Sequence, residues 1–176
     1  AVCTSAMSAL RYAMLNVQTG GVRHAISTGS EFSSRYMRGR NFEPEMESLV
    51  AEMERRPEIA FEKDFLRWML SDGAGAAFVQ AQPNPDRLSL RMDWMDMISL
   101  AGDMPVCMYC GGNKRPDGSM QYAYETEDPL DIVRQGFLAF KQDARILNEH
   151  ILPASIDRAL LPVARKRGFK PADITW

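Results

Sequence analysis

Basic residues never gather into a block in this chain. The 21 lysines and arginines are spread among 23 acidic residues, for a net charge of −2. Nothing is therefore available to neutralise a row of phosphates, and nucleic acid is not an expected partner. No apolar run approaches the ~20 residues a membrane span needs, so no membrane partner is expected either. The first residues lack both a basic n-region and a long apolar h-region, which argues against a signal peptide there. Cysteine is scarce and odd in number, three in 176 residues, which speaks against a disulfide framework. A reducing cytoplasm is the expected compartment. Histidine is scarcer still, with only His24 and His150.

What is present suits a globular core. Hydrophobic residues make up 45% of the sequence, and the twelve methionines read first as core filler. Ala6, Met7, Leu10, Ala13, Met14 and Val17 recur at helical spacing. They predict a helix from about Thr4 to Gln18, ended by Thr19-Gly20-Gly21. His24–Thr28 reads as a short buried strand broken by Gly29-Ser30. Pro44 suits a helix's first turn, with Met46, Leu49, Val50 and Met53 as its apolar stripe and Pro57 as its stop.

Ala76–Val79 reads as the core of a second strand, and Gln82-Pro83-Asn84-Pro85-Asp86 as a turn and the best internal boundary. Leu88, Leu90, Met92 and Trp94 alternate with polar residues, as in a half-exposed strand. Residues 111–118 read as loop. From Asp128 to Arg167 the period is helical, interrupted at Pro153, with Gly168 as a C′ cap. Helices alternating with strands argue for a layered α/β fold.

Four features could carry chemistry. Cys3 heads the first helix. There, free N–H groups and the helix dipole would favour its thiolate and could hold an oxyanion. A merely buried thiol is the alternative reading. Ser71-Asp72-Gly73-Ala74-Gly75-Ala76 allows close backbone approach. It lacks the Lys-Ser/Thr of a phosphate loop and reads more simply as a tight strand start. Cys107-Met108-Tyr109-Cys110 could be half a zinc site, a redox pair, or two ordinary cysteines. In a strand, i and i+3 point to opposite faces, which favours the last reading. His24 and His150 could each serve as a base or stand as structural, solvent-facing residues.

Three stretches in order resemble one family. Residues 3–31, "CTSAMSALRYAMLNVQTGGVRHAISTGSE", are similar to the segment of thiolase-fold condensing enzymes that starts at the catalytic cysteine and ends in a "GSE/GSD" turn. "SDGAGAAFV" resembles the family's "GDGAGAAV" element. Residues 140–176, "FKQDARILNEHILPASIDRALLPVARKRGFKPADITW", resemble the helix pair and "D-I-x-W" lead-in of its C-terminal half. The layout is most similar to β-ketoacyl-acyl-carrier-protein synthase III. Plant-type polyketide synthases and the ketosynthases that make resorcinol or cyclohexanedione products are related patterns. Two departures stand out: residues 37–64 are longer than in the compact pattern, and Ser71 replaces the usual Gly.

The resemblance implies a layered αβαβα fold, with residues 1–82 as the rest of an N-terminal half and 83–176 as the start of a C-terminal half. It implies an acyltransferase of fatty acid or polyketide-type biosynthesis. Cys3 would take an acyl group from acyl-CoA or an acyl-carrier-protein thioester, and a carbanion from decarboxylating malonyl-carrier protein would attack it. No cofactor or metal is implied beyond these thioester substrates. The family's catalytic His and Asn follow the "D-I-x-W" lead-in, and neither His24 nor His150 matches that motif. The chain is therefore expected to correspond to the middle of a longer, homodimeric enzyme and to be inactive in condensation by itself. The strand that pairs across the family's two-fold precedes the cysteine. A non-catalytic interaction module with the same fold is the alternative expectation.

Overall fold

The computed structural model describes residues 3–43, 50, 51 and 53–174. Their contacts group into two units, one made of the chain up to Ser33 with Ser71–Met97, the other of Ser34–Leu70 with the chain from Ile98. Among the described residues, helices combine with three two-stranded antiparallel sheets, a mixed α/β architecture. No helix there is long and apolar enough to cross a membrane.

In the first unit, helix α1 spans Ser5–Gln18 and buries Ala13, Met14 and Val17 from the expected stripe. Thr19 caps its end, with its N–H donating to the Leu15 carbonyl at 2.9 Å. Gly20 then takes the left-handed conformation at φ 74° that lets the chain turn back. Strands β1 (His24–Glu31) and β2 (Gly73–Gln80) pair from His24↔Gln80 to Glu31↔Gly73. Ala13, Val17 and Val79 form the core, with Leu10, Ala25 and Met92 packed against it.

Three expectations for this unit are corrected. Strand β1 is not broken at Gly29-Ser30 but runs through both, with Gly29 opposite Gly75. The glycine is there because α1 lies so close: a Cβ at Gly29 would stand 2.7 Å from the Ala6 Cβ. The strand is also less buried than expected, since His24, Ile26 and Thr28 are exposed and only Ser27 is fully covered. Residues 88–94 form no ladder, and Leu88 and Leu90 are 91% and 86% exposed. Alternation sorts side chains onto two faces but does not supply the partner that a strand requires.

In the second unit, residues 50–51 and 53–55 are helical, whereas Pro44, Met46 and Leu49 of the expected stripe lie outside the described residues. Pro57 caps helix α2 (Glu58–Met69), which packs against the later strand β6 (Lys141–Gln142) and fully buries Leu66. Strand β3 (Met108–Tyr109) pairs with β6.

Residues 111–118 are not all loop, because β4 (Gly112–Lys114) pairs with β5 (Met120–Tyr122). The hairpin is held by Arg115, whose guanidinium donates to the Met120 carbonyl at 2.6 Å and to Glu125 at 2.8 Å. Helix α3 (Pro129–Arg134) starts at an Asp128 cap, and Phe137, just beyond it, is completely buried.

Helix α4 (Ala144–Leu152) is not interrupted at Pro153. It continues through wider π-helical turns at Pro153–Leu160 into α5 (Leu161–Arg167). The wider turns are the local adjustment expected where a proline removes an N–H and would crowd the preceding turn. Gly168 closes α5 at φ 75°, as the C′ cap requires.

Candidate functional site

The first unit carries a cleft of about 840 Å³ lined by Cys3, residues 27–31 and residues 73–77, with Ser71 and the first turns of α1. Its geometry starts from α1. Thr4 is the N-cap residue, and its carbonyl accepts from Ser8 N–H at 2.9 Å, which sets the first turn. Cys3 sits one residue before that cap and is exposed. Thr4 makes no side-chain cap bond, and no acidic residue stands in the first turn of α1, so the positive end of the dipole is uncompensated by side chains of that turn.

The sheet supplies the opposite wall. Gly29, Ser30 and Glu31 pair with Gly75, Ala74 and Gly73, so the "GSE" and "DGAGA" stretches lie side by side. Ala6 sits against Gly29, whereas a Cβ at Gly73 or Gly75 would meet nothing within 4 Å. The glycines of 73–75 thus border open space, and it is Gly29 that makes the close approach. The Glu31 carboxylate accepts from the neighbouring Phe32 N–H at 3.0 Å. The sheet's wall is otherwise of small and hydroxyl side chains.

The other candidate residues are placed elsewhere. His24 is at the far end of β1, stacked on Phe78 with ring centroids 5.5 Å apart. His150 belongs to the second unit, in the last turn of α4. Cys107 and Cys110 also lie there, both free and flanking β3. Among the described residues, no cluster of three or more His, Cys, Asp or Glu is placed to hold a metal ion.

Around Cys107 the second unit builds a polar cluster that sequence reading missed. Gln142 is buried, and its Nε2 donates to Cys107 Sγ at 2.8 Å and to the Cys107 carbonyl at 3.2 Å. Burial pushes the Cys107 thiol up from its ordinary range, against the opposing bond from Gln142. Asp143 accepts from Lys114 Nζ at 2.7 Å and caps α4 by accepting from Ile146 N–H at 3.0 Å. Burial alone would raise the Asp143 carboxyl, but the Ile146 bond and the Lys114 ammonium outweigh it and hold it below its usual range. Lys114 and Lys141 both approach the Tyr109 ring, at 5.6 and 6.0 Å from its centroid. An Asp just before a helical period is a readable cap signal, but Lys114 reaches Asp143, and Gln142 reaches Cys107, only through folding.

Compared with protein-family models and with curated proteins, the chain matches none.

Proposed function

We propose that this chain is the cysteine-bearing part of a thiolase-fold condensing enzyme, most similar to β-ketoacyl-acyl-carrier-protein synthase III, and that Cys3 is its acyl-accepting nucleophile. The observation that carries the proposal is convergence. Cys3, the Gly29-Ser30-Glu31 stretch and the Gly73–Ala77 stretch line one cleft. Those stretches are the ones whose order resembles the family's, and they are far apart in the chain.

In this reading the Cys3 thiolate attacks the carbonyl carbon of an acyl thioester. The C–S bond to CoA or carrier protein breaks, that thiol leaves with a proton, and the acyl group remains on Cys3 Sγ. The backbone N–H of Cys3 contributes to the hole that holds the tetrahedral oxyanion. In the condensing step, malonyl-carrier protein loses CO₂, and its carbanion attacks the acyl carbon. The Cys3 sulfur is expelled, and a β-ketoacyl thioester results. The division at 82/83 into family halves, the cytoplasmic location and the homodimeric parent belong to the same proposal.

Acyl loading is the step that tests it. The protein is incubated with acyl-CoA thioesters of several chain lengths and digested, and the modified cysteine is identified by mass spectrometry. Modification concentrated on Cys3, with the exposed Cys110 as a control, is the expected result. Equal labelling of Cys3 and Cys110, or none, would favour the interaction-module reading.

A further inference from the structure

We infer that the cleft takes an acyl chain that carries a neutral oxygen, a hydroxyl or a carbonyl, beyond its thioester: the chain passes over Gly75, and the Ser27 hydroxyl holds the oxygen. The inference rests on the cleft being the acyl site proposed above. Directly paired residues of an antiparallel sheet point to one face. Ala25 and Val79, opposite each other, pack with α1, and Ala6 of α1 stands over Gly29. Steps of two residues put Ser27, Gly29 and Glu31 of β1 on that same face, opposite Ala77, Gly75 and Gly73 of β2. Along this face of β2 the side chains shrink from Val79 through Ala77 to two glycines. Helix α1 closes the face over β1, where Ala6 meets Gly29. Over β2 the face stays open, since a Cβ at Gly75 would meet nothing within 4 Å. Gly75 does not take a positive φ either, so neither packing nor backbone demands a glycine there. What its missing side chain leaves is a passage beside α1.

Ser27 marks where that passage leads. It lies ~7 Å along β1 from Gly29, on the side of the Ala6 contact away from Cys3. Its residue is only 9% exposed, and it lines the cleft. Among the described residues the Ser27 hydroxyl has no hydrogen-bond partner. A covered hydroxyl without a partner is costly, and a ligand oxygen reaching it removes that cost. A plain alkyl chain would fit against Leu10 and Ala77 but leave Ser27 unpaired. The lining residues include no cation, and their one charged side chain is Glu31. A carboxylate on the chain would therefore find no counter-charge, whereas a neutral oxygen finds Ser27.

Binding to Cys3→Ala separates recognition from acyl transfer. Titration calorimetry compares pantetheine thioesters of plain alkyl chains with chains of equal length that carry one hydroxyl or keto group, moved along the chain. At one position the oxygen should tighten binding about tenfold over the plain chain. Ser27→Ala in the same background should bring the two chains to within about twofold of each other. Gly75→Val should weaken the oxygenated chain by about tenfold more than it weakens the acetyl thioester, because only the longer chain crosses that position. No preference at any oxygen position, a preference that survives Ser27→Ala, or equal losses for the two chains in Gly75→Val would each overturn the inference. Labelling of Cys3 in the wild type by the preferred chain's CoA thioester is read separately. Preferred binding without labelling supports the Ser27 assignment and counts against Cys3 as the nucleophile.

Discussion

Ala6 of α1 stands over Gly29 of β1 so closely that a Cβ added to the glycine would lie 2.7 Å from the alanine's own Cβ. This contact seats the first turn of α1 on the sheet, three residues after Cys3. Gly29 is therefore required by its neighbour and not by its backbone angles. Gly75, its cross-strand partner, has open space where a side chain would be.

Gly29→Ala should destabilise the protein by about 1–3 kcal/mol, the usual cost of forcing a methyl into filled space. Gly75→Ala should cost little, and by removing a flexible glycine from a strand could even stabilise. Urea denaturation of both variants checks the contrast. Adding Ala6→Gly to Gly29→Ala should recover part of the loss, although a glycine in a helix itself costs about 1 kcal/mol. If the two glycines behave alike, the close approach does not govern the site.

Asp143 does two things with one carboxylate, accepting from Lys114 Nζ at 2.7 Å and from Ile146 N–H at 3.0 Å at the start of α4. Asp143→Ala loses both and should cost about 1–3 kcal/mol. The pH dependence follows from the direction of the shift. The folded carboxyl lies below its ordinary value of 3.8, so its contribution is complete above that value and is lost as pH falls through the lower folded value. The stability difference between wild type and Asp143→Asn, measured by urea titration from pH 7 to pH 2, should stay level to about pH 4 and shrink below it. A difference that grows on acidification would contradict the pairing.

The parts of this fold that are readable from sequence are those fixed by local rules. The stripe of α1 and its glycine stop, the Gly168 cap and the strand at Ala76–Val79 all follow from period or backbone freedom. What is misread depends on a neighbour distant in the chain. Gly29 looks like a strand breaker until Ala6 is placed against it. Residues 88–94 have the alternation of a strand but form no ladder. The β4–β5 hairpin looks like loop because its strands are three residues each and owe their order to Arg115 and Glu125. Within the site, Cys3 and the small-residue stretch are visible as motifs. Their meeting in one cleft depends on the β1–β2 register and on the seating of α1 against Gly29.

Cys107 and Cys110 should differ in reactivity. Burial raises the Cys107 thiol's pKa despite the bond from Gln142, and the side chain is only partly accessible. Cys110 is exposed. Timed alkylation with iodoacetamide near pH 7.5, read peptide by peptide, should show Cys107 about tenfold slower than Cys110. Equal rates in wild type, or oxidation of the two to a disulfide under mild conditions, would favour the redox-pair reading.

Cys3 separates a chemical role from a structural one. It is exposed and precedes the helix it heads, so Cys3→Ala removes no packed volume and should change stability by no more than about 0.5 kcal/mol. A thiol retained for packing would give the reverse pattern, with stability lost and no change in thioester reactivity. The informative measurement pairs urea denaturation of Cys3→Ala with acyl-CoA labelling of the same sample. Unchanged stability with labelling lost assigns Cys3 to acyl transfer. Cys3→Ser refines the result. The hydroxyl keeps the size and the nearby helix start but is a far weaker nucleophile at neutral pH, so loading should fall with the thiol and not with the shape of the residue.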